Sequence, residues 1–341
     1  MEVNTMKPFK NSNTKGNRCV GYLRLPNHLR FSIGASLVTS RITSLLVPLA
    51  LLLAASQAQS SACCGGGSSL PSLITGDDKA QVTTSLSSSN VNVDVQADGY
   101  WDAHADRDLT RTFKIEAARI FNDRYQSGFS LPIQSREKSG AEQQSSSGLG
   151  DLSAQVGYEY LPDWDYSPWR PKGIGFISLV FPSGKSIYEV DSPTGVESHG
   201  RGFWTIGAGT VLTKSWESWD ANSVFEVHRS LNRQVSNRVL NGTLSPGNGA
   251  SFAISTGYNL SALRIGAGVT YSYEDPVVIT GDNPSQGNLQ RFATGVLSVS
   301  YLFKDSWSGT VSLSDQTMFG EPTNAALSRG LALMLQKRWQ R

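Results

Sequence analysis

Apolar and polar residues alternate with a period of two through most of this chain. Residues 263–273 show it most clearly. Leu263, Ile265, Ala267, Val269, Tyr271 and Tyr273 fall on one phase, and Arg264, Gly266, Gly268, Thr270 and Ser272 on the other. Successive side chains of a strand point to opposite faces, so such a segment is a strand with one greasy face and one small, polar face. Segment 150–160 repeats the pattern, with Leu152, Ala154, Val156, Tyr158 and Tyr160 against Asp151, Ser153, Gln155, Gly157 and Glu159. Twelve such runs follow from residue 79 onward: 79–87, 110–121, 125–133, 150–161, 173–182, 203–213, 219–230, 250–260, 263–274, 290–303, 307–317 and 328–339. Most are about twice the five or six residues of an ordinary globular strand. That is the length a tilted strand needs to cross a bilayer.

The connections alternate in length. Short turns stand at Asn122-Asp123-Arg124, 214–218, Ser261-Ala262 and Lys304-Asp305-Ser306, with a medium one at 162–172. Long polar loops separate them at 134–149, 183–202, 231–249, 275–289 and 318–327. Long loops on one side and short turns on the other are the habit of outer-membrane barrels. Six of the eight tryptophans, Trp164, Trp169, Trp216, Trp219, Trp307 and Trp339, fall at the short-turn ends. A ring with a polar tip suits a membrane boundary. The predicted fold is all-β: a single antiparallel transmembrane barrel of twelve strands over 79–341. In the last strand Leu331, Leu333, Leu335 and Trp339 share a face, which resembles an assembly signal for the barrel-insertion machinery.

The first 62 residues read as a precursor. Residues 45–55 form an apolar run of signal-core length after Arg41, followed by small residues at Ser56-Gln57-Ala58 and Ser60-Ser61-Ala62. Some 40 residues precede it, which fits either an over-long start or a long leading region. Cys63 follows directly and is a candidate for lipid attachment; ordinary cleavage that leaves Cys63-Cys64 as a reactive pair is the other reading. Residues 63–78 then form a Cys- and Gly-rich linker or a small plug.

Composition narrows the function. The chain has 341 residues, of which 39% are hydrophobic and 17% charged, with 33 glycines. The net charge is +2, but residues 1–62 carry seven Lys/Arg and one acid and contribute +6, leaving −4 beyond them. A nucleic-acid partner would call for a basic footprint there. All three cysteines lie at or before residue 64, and no zincin, P-loop or dinucleotide motif occurs, so no metal, cofactor or catalytic residue is expected. Acids at Asp77-Asp78 and in 281–283 are read as solvated rather than calcium-binding. Lys114, Glu116, Asp151, Glu159, Glu226, His228 and Arg264 fall on the polar phase of their strands and are the candidate lumen-lining residues. They line an open pathway or tie a filled interior together. Arg119 falls on the lipid phase, where only a place near the interface would accommodate it.

Three segments carry a family resemblance. Gly148-Leu149-Gly150-Asp151-Leu152 opens a strand. Leu179-Val180-Phe181-Pro182-Ser183-Gly184 leaves one, and Gly200-Arg201-Gly202-Phe203-Trp204 enters the next. In this order, over residues 110–303, they resemble the outer-membrane channel family labelled "meta-pathway of phenol degradation", akin to FadL-type transporters. The resemblance implies a channel in the outer membrane of a Gram-negative bacterium, with outer-membrane lipid around it and a small, hydrophobic molecule as substrate. A structural or adhesion barrel without a pore, and a lipid-anchored soluble β-sandwich, are the alternatives.

Overall fold

The computed structural model describes residues 72–340, apart from 140–142, 166, 191, 193, 238, 239, 283 and 305. The precursor segment, Cys63 and the glycine-rich stretch behind it lie outside the described residues.

Twelve long strands run antiparallel in chain order: β1 (Asp78–Val95), β2 (Arg107–Phe121), β3 (Tyr125–Ser139), β4 (Leu152–Leu161), β5 (Lys172–Phe181), β6 (Thr205–Ser215), β7 (Trp219–Ser230), β8 (Asn248–Leu260), β9 (Leu263–Glu274), β10 (Gln290–Lys304), β11 (Trp307–Asp315) and β12 (Ala325–Gln340). Each pairs with the next, and β12 pairs back onto β1 from Asp78 opposite Gln340 to Val95 opposite Ala325. The sheet is therefore closed, with every strand of the ring flanked on both sides, which is the only β arrangement that satisfies its backbone inside lipid. The predicted twelve-stranded barrel is observed, and closure rules out the β-sandwich. The hairpin turns use residues that tolerate left-handed backbone: Asn122 and Asp123 (φ 48° and 61°) and Ser261 (φ 52°).

The barrel is inside-out relative to a soluble protein. Phe225, Ile254, Ile265, Leu297, Leu313 and Leu333 point outward and are exposed, while Asp220 and Arg264 point inward and are buried. A soluble monomer does not present a continuous apolar belt of this extent, because exposed apolar area costs about 25 cal/mol per Å² in water. Trp219, Trp307 and Trp339 stand outward at the short-turn rim, with the Lys337 ammonium over the Trp307 and Trp339 rings at 5.1 and 6.0 Å. Arg119 does point outward, close to the same rim, where its guanidinium lies 5.4 Å from the centre of the Phe121 ring.

The pattern along the sequence misses what rises above the apolar belt. Trp101–Ala103 pairs with the end of β1, and Gln143–Leu149 extends β3 into a longer hairpin. Arg233–Ser236, Asn241–Ser245, Val278–Gly281 and Ser285–Gln286 form a separate four-stranded sheet from two loops. Phe203, Val235 and Leu244 make its buried core.

Candidate functional site, the barrel lumen

The inward face of β5 departs from the simple rule. β5 reads Lys-Gly-Ile-Gly-Phe-Ile-Ser-Leu-Val-Phe, apolar on both phases. Ile174 and Phe176 point into the lumen and, with Val211 of β6 and Val224 of β7, enclose Leu73. Leu73 belongs to residues 72–77, which lie inside the barrel. Beside it Ile74 packs on Ala118 and Ile120. The Gln126 side chain acts as a strand partner for Ile74: its oxygen accepts from the Ile74 amide at 2.7 Å and its nitrogen donates to the Ile74 carbonyl at 3.3 Å. Gly128 is required, since a Cβ there would collide with the Ser72 carbonyl. A continuous apolar run in a strand signals burial on both faces, and β5 carries that signal.

Several predicted lumen charges hold this segment or each other. Lys114 pairs with Glu116 at 3.0 Å, and Glu116 also accepts from the Ser72 hydroxyl at 3.0 Å. Glu159 pairs with Lys172 at 3.2 Å, and Lys172 donates to the Gly76 carbonyl at 3.2 Å. Arg264 donates from Nε and Nη2 to the Asp220 carboxylate at 2.8 and 2.6 Å, a bidentate pair at the short-turn end. Its guanidinium lies over the paired glycines Gly257 and Gly266, where a Cβ would collide with it. Burying such a pair costs several kcal/mol per ion in desolvation. Further hydrogen bonds from Asn222 and Asn259 to Asp220 offset part of that cost.

At the long-loop end, Glu226 accepts from the Ser178 hydroxyl at 2.6 Å. His228 Nε2 lies 3.1 and 3.2 Å from the two carboxylate oxygens of Glu274, and Arg201 donates to Glu274 at 2.6 Å. Glu274 is the next inward position after Ser272 on β9, so extending the alternation by one step finds it. Asp151 stands just before β4, where its carboxylate accepts from the amides of Gly184 at 3.0 Å and Arg201 at 2.6 Å. It fastens the 182–204 loop to the rim. Space at Gly207 goes to Ser178 and Glu226, and at Gly209 to the Phe176 ring.

His199 in the same loop is buried, with Nε2 3.1 Å from the Ser146 hydroxyl and Nδ1 buried without a hydrogen-bond partner. Burial, and then the Arg136 guanidinium, hold its pKa below the usual histidine value. The neutral ring that donates from Nε2 leaves only a lone pair unmet on Nδ1, the cheaper of the two tautomers. In that form the His199 Nε2–H donates to the Ser146 oxygen and ties the loop to the 143–149 strand. Among the described residues no group of three or more His, Cys, Asp or Glu side chains gathers as a metal site.

The opposite wall is different. The inward positions of β11 are Ser308, Thr310, Ser312 and Ser314, and β1 offers Thr83, Ser85, Ser87 and Ser89. Ser85, Ser87, Ser89, Ser312 and Ser314 are only half-buried. Small hydroxyl side chains thus face inward along β11 and β1, with Gly330 and Ala332 between them on β12 and Met334 and Gln336 nearer the short-turn end.

No protein-family model matches the sequence, and no curated protein matches it. Among solved structures, the COG4313 outer membrane channel from Pseudomonas putida F1 is similar with a TM-score of 0.64 at 12% identity, over 77% of this chain and 96% of that one. The Pseudomonas putida toluene transporter TodX matches at TM-score 0.42 and 9% identity, over 78% of this chain and 90% of that one. The transport unit of the Escherichia coli autotransporter AIDA-I matches at 0.43 and 8%, over 89% and 98%. The first of these carries the comparison. The described chain is an outer-membrane type of β-barrel, and its fold is similar to that of the COG4313 channel. The channel resemblance of the sequence is thus met at the level of fold.

Proposed function

We propose that this protein is a channel in the outer membrane of a Gram-negative bacterium, giving passive passage to small molecules, apolar ones among them. The observation that carries the reading is the divided lumen of a closed, inside-out barrel. One wall is packed against Leu73, and the other carries half-buried hydroxyl groups on β1 and β11. Polar inward residues beside a small-residue wall set the selectivity of such passage. The similarity in fold to an outer membrane channel supports the same class. Surrounding outer-membrane lipid, docking of the exposed Leu331, Leu333, Leu335 and Trp339 on the assembly machinery, and acylation at Cys63 belong to the same proposal. The chain folded in detergent and reconstituted into planar bilayers tests it, with a boiled-against-unboiled gel shift to confirm the barrel. Discrete conductance steps and swelling of loaded liposomes are expected. A heat-shifting barrel that never conducts is the structural or adhesion barrel instead, a reading favoured by the filling of half the lumen.

A further inference from the structure

On the outer surface, the short-turn rim carries cations that meet aromatic rings. Arg119 lies on Phe121, and Lys337 lies on Trp307 and Trp339 while donating to the Ser306 hydroxyl at 2.6 Å. Arg124, in the turn between β2 and β3, meets two rings. Its guanidinium lies 5.1 Å from the centre of the Tyr158 ring and 5.3 Å from that of Trp164. Tyr158 stands on the outward phase of β4 and packs against Tyr125 of β3, with ring centres 4.9 Å apart. The guanidinium is therefore on the outer side of the wall. Its Nε donates to the Glu159 carbonyl at 3.2 Å, which orients the group and leaves the two Nη ends. Among the described residues no carboxylate comes within ion-pair reach of Arg124, and Asp163 of the adjoining loop is taken by Lys214 at 3.3 Å. Trp164 is 74% exposed, well above Trp219 of the same rim at 53%.

We propose that Arg124, Trp164 and Tyr158 form a headgroup site for an anionic phospholipid of the periplasmic leaflet, with its phosphodiester on the Arg124 guanidinium. A guanidinium presents its donors in a planar fork that matches two oxygens of one phosphate. With Nε already engaged, the two Nη ends supply the fork. Stacking on Tyr158 and Trp164 holds the group in place and suits its weak hydration. A cation at the edge of hydrocarbon needs a counter-charge, and here the lipid phosphate provides it. The Trp164 ring lies at the depth of the glycerol esters, where an apolar ring with a polar N–H is at home. Toward the apolar belt, Phe129 and Val156 stand outward and exposed, each opposite a small residue, Ala154 and Ser127. An acyl chain lies over that stretch. A zwitterionic headgroup brings its own cation to the phosphate, and an uncharged lipid brings nothing for the guanidinium. The site rests on the outer-membrane reading for its lipid and needs no open pore.

The test is native mass spectrometry on the full folded chain in neutral detergent, with dioleoyl phosphatidylglycerol, dioleoyl phosphatidylcholine and dioleoylglycerol added in turn. Phosphatidylglycerol is expected to be retained about tenfold more tightly than phosphatidylcholine, and dioleoylglycerol not at all. Arg124→Gln is expected to weaken phosphatidylglycerol about tenfold, the factor for loss of a charge-assisted hydrogen bond. Trp164→Ala is expected to weaken it severalfold, and serves if the Arg124 variant loses its gel shift. Arg170→Gln removes the same charge from an exposed place in the Trp164 loop and is expected to change retention about twofold or less, as a screened surface charge does. Retention of phosphatidylcholine or dioleoylglycerol as tight as that of phosphatidylglycerol overturns the site. So does an equal loss in Arg124→Gln and Arg170→Gln, or retention unchanged by the Arg124 and Trp164 substitutions. A chain without a gel shift loses the barrel and the site together, whereas a heat-shifting barrel that holds no phosphatidylglycerol loses only the site.

Discussion

The walls formed by β5–β7 and by β11, β12 and β1 belong to one sheet, yet they face the lumen with different side chains. Along β5–β7, Ile174, Phe176, Val211 and Val224 are buried against Leu73, and Glu226 and His228 have fixed partners above them. Along β11 and β1 the inward positions carry serine and threonine, several of them half-buried. The outward faces of both walls are alike, because lipid makes the same demand all round. The inward faces differ in how they meet residues 72–77: β5–β7 pack apolar side chains on Leu73, whereas β1 reaches it only through the Gln81 amide, which donates to the Leu73 carbonyl at 3.2 Å. Apolar packing is thus concentrated on one arc of the ring and small hydroxyl side chains on the other.

That contrast can be broken from either side. The largest effect is expected at Arg264. Arg264→Ala leaves the Asp220 carboxylate buried without its cation and should destabilise the barrel by about 3–5 kcal/mol, read as a lower unfolding midpoint in urea with detergent. Ser312→Ala on the small-residue wall should change the same midpoint by about 0.5 kcal/mol or less. Next, Ile174→Ala opens a hole against Leu73 and should cost about 2–4 kcal/mol, with Leu73→Ala comparable. If both prove neutral, residues 72–77 are not held by the packed wall. A functional contrast sharpens the picture: Ser87→Trp should cut single-channel conductance to about half or less with little loss of stability. Phe176→Trp should do the reverse, losing stability by about 1–3 kcal/mol through overpacking and leaving conductance near that of the native chain. The smallest effect concerns the rim. The pKa of His199 is held down in the folded loop, so the unfolded loop binds its proton more readily. Packing of the 182–204 loop should therefore weaken as pH falls below about 6.5, with faster amide exchange at Gly200, and His199→Gln should remove that pH dependence.

Much of the fold was legible because lipid imposes a strict period. β7 and β9 span the runs 219–230 and 263–274 that alternation gives, and most other strands differ from theirs by one to three residues at an end. The exceptions are instructive. β1 continues to Val95, well past residue 87, because Ser88 and Asn90 point outward above the apolar belt, where nothing requires them to be greasy. A register shift between Val91 and Val93 then changes the phase. The four short strands around Val235 and Leu244 escaped for a related reason: they bury a small core of their own far from lipid, and their alternation is too brief to read. Within the lumen, alternation finds Arg264, Glu226 and His228 on the inward phase. It gives neither Asp220 as the partner of Arg264 nor Leu73 as the filling of the apolar patch, since both join residues far apart in sequence.

Closure of the ring by β1 and β12 has a consequence for how the barrel comes to exist. Thr84 donates to the Leu335 carbonyl, a bond between residues 251 positions apart. Every other strand in the ring meets its neighbours across a single loop or turn, so hairpins can accumulate one after another. The final seam must wait for the strand that is synthesised last. Until then two unpaired edges face the bilayer, each carrying backbone donors and acceptors that hydrocarbon cannot answer. Contacts of such long separation are slow to form, and the half-built sheet is open to wrong partners throughout that wait. Insertion is therefore a race between sealing one seam and losing two edges.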